Sequence, residues 1–395
     1  MKILIASSKY HPYYWGGGEY SVKKLAEELS KYNDVEVEVL TFGEENNTEV
    51  ISNVKVRRIK SKNIYWSYFA KKQSIFKKII WHLLEAYNPR AGEIANLIAT
   101  EIKPDLVHFR NIEDFSTSIF KYLSKHKIPT IQTLNTYFMI EPSGTLYRTS
   151  KAGYFIMKIW EQIFRIKKYG SNWLSAVVGV SQLTLNEHIR RGYYRNSKQA
   201  VIRTGVQKVN SNQSKRKNDN ITFGFIGNLY ETKGVLEMIT AFKILKGQNI
   251  NLIVAGAGNS DYSEKCHKLA KDDNRIKFLG KTDQETFFTQ IDVSIIPSIW
   301  MDPFPRVLIE AYSFGKPVIS SNKGGAKERV VQGVTGFIYR NEEELIESME
   351  KLISEPKLIS TFSNNIKSWA KIHEGDDIDQ YYSLYKEIIN TPQTD

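Results

Sequence analysis

The stretch VSIIPSIWMDPFPRVLIEAYSFGKPVIS, residues 293–320, contains a complete strand–helix–strand unit. Its apolar opening predicts a strand at Val293–Pro297, and the apolar spacing within Pro305–Phe314 is that of a helix. Gly315 ends this helix, and Pro317–Ser320 then has the composition of the next strand. Because two strands joined by a helix lie parallel, the stretch predicts an α/β fold built on a parallel sheet.

The same alternation of strands and helices runs through the rest of the chain. Further strands are predicted at Lys2–Ala6, Val35–Thr41, Val54–Ile59, Leu106–His108, Thr130–Thr133, Ala176–Gly179, Ile221–Ile226, Asn251–Ala255 and Ile276–Leu279. Further helices are predicted at Glu19–Lys31, Gly92–Lys103, Val235–Lys246, Tyr262–Lys271 and Asp283–Thr289. The pattern occurs once in each half of the chain and predicts two consecutive Rossmann-like domains.

The chain length supports this division. At 395 residues the chain exceeds what one hydrophobic core ordinarily organises. Residues 207–220 are rich in Asn, Ser and Lys and predict a linker between a domain at residues 1–206 and a second at residues 221–374. A last helix within residues 375–395 follows the second sheet, and it either crosses back to the first domain or caps the second.

The composition indicates a soluble globular protein, since 41% of residues are apolar and 25% are charged. A single cysteine, Cys266, excludes a disulfide framework and a cysteine-based metal site, which fits a reducing compartment such as the cytoplasm. The first apolar segment is short and leads into Ser7-Ser8-Lys9, so it predicts a buried strand rather than a secretory signal. No apolar run approaches the ~20 residues that a membrane span needs.

The net charge of +12 lies entirely in the first half of the chain. Residues 1–200 contain 30 basic and 18 acidic side chains, whereas residues 201–395 contain 25 of each. Two basic segments there also carry large apolar side chains, within residues 66–81 and 154–173. Such segments are typical of amphipathic helices on an anionic bilayer, although core-facing helices of an ordinary domain have the same pattern.

Two acidic residues eight positions apart mark the candidate site. Asp302 lies in a Pro-rich loop and Glu310 in the first turns of the following helix, with Phe304 and several backbone amides between them. Carboxylates accept hydrogen bonds from hydroxyl groups, and the amides at a helix start receive an anion. A nucleotide sugar has both kinds of group. The alternative is that one acid lies in the loop without a function and the other only stabilises the helix through its dipole.

Glycine-rich turns follow other strands. In Phe225–Gly234, Gly227 permits close backbone approach, and Lys233 is predicted to open a helix whose start can hold phosphate; a chance surface lysine is the alternative. Similar turns are predicted to face a ligand or to serve packing alone: Gly16, Gly17 and Gly18 before the first helix, Gly256 and Gly258 after a strand, and Gly324-Gly325 opening another helix.

Together these motifs resemble glycosyltransferase family 4, whose members use nucleotide-diphosphate sugars and have the GT-B fold. The resemblance implies two Rossmann-like domains facing each other across a cleft. Asp302 and Glu310 occupy the place of the family's E-x7-E motif, with Asp for the first Glu. The resemblance implies that Asp302 contacts the donor sugar, that Glu310 contacts the ribose, and that the backbone amides of Val307 and Leu308 lie at the nucleotide.

The chain departs from the family pattern at two positions. Lys233 matches a residue that binds the diphosphate, but Asn228 stands where the family has an Arg. Asn135 stands where the family often has a His near the reacting sugar, and an amide cannot act as a general base. His108 at another strand end is either a functional residue or an ordinary hydrogen-bonding one.

The resemblance implies a retaining transferase that moves a sugar from a nucleotide-diphosphate sugar to a saccharide or lipid-linked saccharide, at the cytoplasmic face of an anionic membrane. No D-x-D metal signature follows a strand, so neither a metal nor another cofactor is expected. Three alternatives remain: a weakened or partner-dependent homologue, because of Asn228 and Asn135; a nucleotide-sugar-processing enzyme such as an epimerase; and a basic nucleic-acid-binding protein, which leaves the acid pair unexplained.

Overall fold

The computed structural model describes residues 1–13, 17–206, 220–258 and 260–391. The chain divides into two compact units, one comprising Met1–Arg203 with Asp377–Asp395 and the other Thr204–Asp376. Most of the predicted linker, residues 207–219, lies outside the described residues, as does Gly16 of the first glycine-rich turn.

The first unit is an α/β layer structure. Its elements up to residue 203 are β1 (Lys2–Ser7), α1 (Gly17–Leu29), β2 (Glu36–Phe42), β3 (Asn47–Ile51), β4 (Val54–Ile59), α2 (Ile75–Ala86), α3 (Ala91–Leu97), β5 (Leu106–Asn111), α4 (Ser118–Lys125), β6 (Thr130–Leu134), α5 (Lys151–Ile163), α6 (Ile166–Ser171), β7 (Ala176–Gly179), α7 (Gln182–Arg190) and β8 (Lys198–Val201). Among the described residues the strands form one eight-stranded sheet in the order β3-β4-β2-β1-β5-β6-β7-β8.

The second unit repeats this architecture on a smaller scale. Its elements are β9 (Ile221–Ile226), α8 (Val235–Ile244), β10 (Ile250–Ala255), α9 (Ser260–Ala270), β11 (Ile276–Gly280), α10 (Gln284–Phe288), β12 (Val293–Ile296), α11 (Arg306–Ser313), β13 (Val318–Ser321), β14 (Gly336–Tyr339), α12 (Glu342–Ser354) and α13 (Lys357–Ile372). Within the described ranges its sheet has six strands in the order β11-β10-β9-β12-β13-β14, all parallel. The predicted fold class, two α/β domains with parallel sheets, is confirmed.

Three edge strands are missing from the sequence-based prediction. β3 pairs antiparallel with β4, so the first sheet is not wholly parallel. Its sequence, Asn-Thr-Glu-Val-Ile, is exposed or half-buried along its length and therefore has no continuous apolar run. β8 and β14 have only four residues each at the ends of their sheets, too short for a clear periodic signal.

The last helix, α14 (Asp376–Asn390), belongs to the first unit, although the whole second unit precedes it in sequence. Its apolar face joins the core of the first unit beside β1 and α1 through five buried side chains, Ile378, Tyr381, Leu384, Tyr385 and Ile388. Buried hydrogen bonds add to this packing, since the Tyr385 hydroxyl lies 2.6 Å from Nδ1 of His108 on β5.

One predicted helix is divided. The sequence predicts a continuous helix at Gly92–Lys103, but α3 ends at Leu97 and a π-helical turn at Ile98–Ile102 follows. The turn stops at Lys103, whose φ of 52° is left-handed. Within the described residues, none of the helices has the length and apolar character that crossing a membrane requires.

Candidate functional site

The predicted site residues of the second unit lie where its strand order reverses. β9 is hydrogen-bonded to β10 on one side and to β12 on the other, and β13 lies beyond β12. The chain continues from β9 towards β11 and then returns to β12, so the loops after β9 and β12 leave the sheet in opposite directions. In open α/β sheets, ligands bind beyond the carboxyl ends of the strands at this point.

Backbone hydrogen bonds hold the loops at this edge together. The Ile299 N–H, in the loop after β12, donates to the Thr232 carbonyl in the loop after β9 at 3.0 Å. The Gly325 N–H, after β13, donates to the Asp302 carbonyl at 2.8 Å. The Gly227 N–H donates to the carbonyl of Ala255, at the end of β10, at 3.0 Å. The carboxyl ends of four adjacent strands thus form one connected surface.

Two glycines permit this close approach. A Cβ atom on Gly256 would lie 1.8 Å from the Gly227 carbonyl oxygen, and one on Gly234 would lie 1.9 Å from the Pro297 carbonyl oxygen. Both glycines also have positive φ, +134° and +68° respectively, which L-residues rarely adopt. The two positions therefore require glycine for both space and backbone conformation.

Lys233 and Asp302 form an ion pair across two of these loops. The Lys233 Nζ lies 2.6 Å from the Asp302 carboxylate, which is buried, and 5.6 Å from the centroid of the Trp300 ring. The sequence-based expectation that Lys233 opens a helix is wrong in detail. Lys233 ends a 3₁₀ turn, Glu231–Lys233, and α8 begins after Gly234. Lys233 therefore lies outside α8, and its ammonium is paired with a loop carboxylate.

Glu310 lies in α11 as predicted and has its own cationic partner. The Arg306 guanidinium, one turn earlier, lies 2.9 Å from the Glu310 carboxylate. Burial raises the pKa of Glu310, whereas Arg306 and a hydrogen bond from Gln284 act to lower it. Gln284 begins α10, so the loop after β11 also contributes to the surroundings of this carboxylate.

The remaining predicted residues of this motif differ in accessibility. Phe304, which lies between the two acids in sequence, is buried. Val307 is half-buried in the first turn of α11. The Leu308 side chain is buried, and its N–H is already engaged, donating to the Pro305 carbonyl at 3.1 Å. A role for the Leu308 amide at a nucleotide therefore requires this bond to open. Asn228 is exposed at the tip of its loop.

The Gly324-Gly325 pair does not open a helix. It begins a single 3₁₀ turn, Gly325–Glu328, which is too short to have the dipole of a full helix. A Cβ atom on Gly324 would lie 2.6 Å from the Asp302 carbonyl oxygen, so this glycine permits the approach of the β13 loop to Asp302.

In the first unit, the predicted residues also lie at the carboxyl edge of the sheet. Gly17 and Gly18 are the first residues of α1, and a Cβ atom on Gly18 would lie 4.0 Å from Nδ2 of Asn111, at the end of β5. The Asn135 amide donates to the Arg110 carbonyl at 2.8 Å. His108 is fully buried and bonded to Thr133 and Tyr385, so it acts as a structural residue rather than at a surface site.

Sequence reasoning missed the Trp300 and Gln284 contacts and the pairing of Arg306 with Glu310. The last of these had a visible signal, because an Arg and a Glu four positions apart face each other on a helix. Gln284 had none, since the loop after β11 has no motif. In the part of the chain that the structure describes, no group of three or more His, Cys, Asp or Glu side chains is placed to hold a metal ion.

Comparison with known proteins places the chain among glycosyltransferases. Residues 15–208 match the family described as Glycosyltransferase Family 4, and residues 206–369 match Glycosyl transferases group 1. A glycosyltransferase of Methanocaldococcus jannaschii is 26% identical over 99% of this chain and 97% of its own length. The capsular polysaccharide biosynthesis glycosyltransferase CapM of Staphylococcus aureus is 33% identical over 40% of this chain and 43% of its own.

Among solved structures, the HepE protein of Anabaena in complex with UDP superimposes with a TM-score of 0.70. The match covers 98% of this chain and 100% of that one at 20% identity, which shows a shared fold. The two α/β units, each built on a mainly parallel sheet, have the GT-B fold. The family matches together span residues 15–369, and the chain belongs to glycosyltransferase family 4.

Proposed function

We propose that this chain is a retaining, metal-independent glycosyltransferase of polysaccharide or glycolipid biosynthesis. It would transfer a sugar from a nucleotide-diphosphate sugar to a saccharide or lipid-linked saccharide. The observation that carries the donor part is the Lys233–Asp302 pair, held at 2.6 Å where the strand order reverses. CapM of Staphylococcus aureus, to which this chain is similar, is a glycosyltransferase of capsular polysaccharide biosynthesis, and this supports the proposed class of pathway.

In the proposed donor complex, Lys233 leaves Asp302 and binds the diphosphate. This exchange places positive charge where negative charge develops as the leaving group departs. Asp302 is then available to accept a hydrogen bond from a donor-sugar hydroxyl. Glu310, which is largely buried and anchored by Arg306, is positioned to accept from the ribose hydroxyls.

The proposed reaction occurs on one face of the donor sugar. The acceptor hydroxyl attacks the anomeric carbon on the side that the nucleoside diphosphate leaves, the diphosphate takes the electrons of the broken bond, and the acceptor proton passes to its phosphate oxygen. No residue acts as a covalent nucleophile in this scheme. Stabilisation of the leaving group falls to Lys233 and to backbone amides, which is why no metal is required.

We further propose that the first unit associates peripherally with an anionic membrane at its cytoplasmic face. α2 and α5 pack together through His82 and Trp160, whose ring centroids lie 5.6 Å apart. Each helix also exposes large apolar side chains: Ile75, Phe76, Ile79, Ile80 and Leu83 on α2, and Tyr154, Phe155, Ile156 and Ile159 on α5. Lys71, Lys72, Lys77 and Lys78 add positive charge around α2. We call this set of residues the α2–α5 face.

The donor proposal is tested with a panel of UDP-, GDP- and ADP-sugars, measured by thermal shift and by nucleotide release, with EDTA or with Mg²⁺. Stabilisation by one nucleotide family and slow release of its diphosphate in EDTA are expected. Activity only with Mg²⁺ would contradict metal independence. A product of inverted anomeric configuration, read by NMR, would contradict retention.

The second candidate is a weakened or partner-dependent homologue. The exposed Asn228 and the amide of Asn135 favour it, because neither supplies the charge or the base that the family has there. Donor binding without turnover by the chain alone would favour this candidate.

A further inference from the structure

Arg110 is a buried cation at the carboxyl edge of the first sheet. Arg110 is only 6% exposed and lies near the end of β5. Its Nη1 donates to the Tyr381 hydroxyl on α14 at 2.7 Å, and its guanidinium carbon lies 5.4 Å from the centroid of that ring. Its Nε is buried without a hydrogen-bond acceptor. Among the described residues no carboxylate is within ion-pair distance of this guanidinium.

A buried cation without an ion-pair partner costs folding free energy. Removing a charged group from water carries a penalty of several kcal/mol unless an opposite charge or a full set of hydrogen bonds compensates it. One tyrosine hydroxyl and one aromatic ring are weak compensation for a guanidinium with five N–H donors. The arrangement is one that an incoming anion would complete.

Arg110 lines a pocket that is open to solvent, together with Asn111, Glu113, Asn135, Thr136 and Phe138. The pocket lies beyond the carboxyl ends of β5 and β6, the edge of the sheet where ligands bind in this class of fold. Within the described part of the chain, Glu113 is the one acidic residue that lines this pocket. Its carboxylate is paired with the Lys9 ammonium at 2.9 Å. The other polar side chains that line the pocket carry amides and hydroxyls, which suit sugar hydroxyl groups.

We infer that this pocket binds an acidic sugar unit of the acceptor, with Arg110 holding its carboxylate or phosphate. A guanidinium presents parallel N–H donors that match either anion with two hydrogen bonds. Asn111, Asn135 and Thr136 are the candidates for the neutral hydroxyls of the same sugar. This inference rests on the proposed transferase function and narrows the class of its acceptor.

Binding of small probes tests the inference. Glucuronic acid, glucose 6-phosphate, inorganic phosphate and neutral glucose are titrated into the full chain by NMR at constant ionic strength. We expect the charged sugars to bind at least about 10-fold more tightly than glucose, because hydrogen bonds between charged groups are stronger than those between neutral groups. Arg110→Gln should abolish the difference. Arg90→Gln, the same change at an exposed arginine of this unit, should preserve it.

The two acid types separate the sources of the charge. A preference for glucuronic acid points to a uronic acid acceptor, and one for glucose 6-phosphate points to a sugar phosphate; both support the anion site. Equal binding of charged and neutral sugars by the wild type, or a preference that survives Arg110→Gln, overturns the inference. If Arg110→Gln does not fold, Arg110→Lys is measured instead, because it retains the positive charge but lacks the parallel N–H donors of a guanidinium. Unchanged affinity for the acidic sugars in Arg110→Lys would overturn the inference that these donors hold the anion.

Nucleotide-sugar binding by the same preparations separates this inference from the proposed function. Donor binding without a preference for acidic sugars would overturn the anion site and leave the transferase proposal intact. A preference for acidic sugars without binding of any nucleotide sugar would support the anion site and contradict the transferase proposal. Tyr381→Phe removes the hydrogen bond to Arg110 and retains the ring, so a merely structural arginine would lose stability in this variant with no change in anion affinity.

Discussion

At the scale of single residues, the candidate donor site contains two ion pairs. Asp302 is paired with Lys233 at 2.6 Å, and Glu310 with Arg306 at 2.9 Å. Each carboxylate is largely buried, and each is compensated by a cation whose side chain is partly accessible. A ligand with an anionic diphosphate and several hydroxyls can exchange partners with both pairs, which is the basis of the first two predictions.

Lys233→Ala should lower donor turnover by at least about 100-fold, since a group that stabilises charge in the transition state is lost. The change also leaves Asp302 buried without its partner, so some loss of stability is expected. The double variant Lys233→Ala with Asp302→Asn removes that unpaired charge, and should regain stability without regaining activity. Steady-state kinetics and thermal unfolding measure both effects. Activity like that of the wild type in Lys233→Ala would exclude this residue from catalysis.

Glu310→Gln should weaken donor binding by about 10-fold or more, because an amide accepts hydroxyl hydrogen bonds less strongly than a carboxylate. The fold should be retained, since the side chains have the same shape. Calorimetric titration with the nucleotide sugar selected by the donor panel measures the change. Lys265→Ala, at an exposed position of α9, serves as a control for surface substitution. Equal affinity in Glu310→Gln and the wild type would remove Glu310 from the binding site.

At the scale of elements, the geometry of the site depends on how closely the strand-end loops approach one another. Gly256 lies after β10, against the carbonyl of Gly227 after β9. Gly247 also has a left-handed φ, +110°, but a Cβ atom there would have no neighbour within 4 Å. Comparing the same substitution at Gly256 and at Gly247 therefore separates the free-energy cost of backbone strain from that of a steric clash.

Gly256→Ala should destabilise the second unit by more than Gly247→Ala. Strain alone costs about 1 kcal/mol at either position. The clash of 1.8 Å at Gly256 must in addition push the two loops apart. Urea unfolding of both variants measures the difference, and thermal shift with donor shows whether the loops still bind. Equal destabilisation would mean that the loops move apart freely.

Much of the element pattern can be predicted from sequence, and the reason for each failure is physical. Buried strands such as β9 and β10 have continuous apolar runs, and their bounds lie within a residue or two of the predicted ones. β3 and β14 are edge strands whose pairing depends on the neighbouring strand rather than on local apolar pattern. Asp302 and Glu310 are visible from their spacing, but the contacts of Trp300 and Gln284 arise only from folding.

At the scale of the whole molecule, the α2–α5 face exposes large apolar side chains on two helices that pack together. Lys77 and Lys78 accompany its apolar side chains. Lipid vesicles containing phosphatidylglycerol should therefore bind the protein in a salt-dependent way, whereas vesicles of phosphatidylcholine should bind it weakly.

Replacing Lys77 and Lys78 by Gln should weaken binding to phosphatidylglycerol vesicles by about 2 kcal/mol, about 30-fold. Phe76→Ser should weaken binding to both lipids, because Phe76 is 75% exposed and supplies apolar contact. Ile372→Ser is the matched control, at a side chain of the second unit that is also 75% exposed. Sedimentation with vesicles measures the binding. Equal losses for Phe76→Ser and Ile372→Ser would argue against the α2–α5 face.

Acid stability should depend on His188. It is fully buried on α7, its Nδ1 donates to the Thr184 carbonyl at 2.8 Å, and burial lowers its pKa to about 4. Between pH 6.5 and 4 the unfolded chain takes up a proton that the folded chain does not, so stability falls as the pH falls, by up to about 3 kcal/mol.

His188→Asn should reduce this dependence while retaining a donor towards Thr184; part of it should remain, because burial also lowers the pKa of His82 and His108. His126→Asn, at an exposed position, should leave it unchanged. Urea unfolding at several pH values between 4 and 7 gives the free energies. The same slope in His188→Asn and the wild type would assign the acid sensitivity to other groups.

The position of α14 determines the order in which the protein can fold during synthesis. The ribosome completes residues 1–203 first, yet the helix that fills their core is made only after residue 376. At 5–20 residues per second, the intervening segment takes on the order of 10 to 30 s to translate. During that interval the second unit is being synthesised, while the first exposes the apolar side chains that α14 will cover. The first unit therefore becomes native only after α14 has been made, although most of its sequence leaves the ribosome before the second unit does.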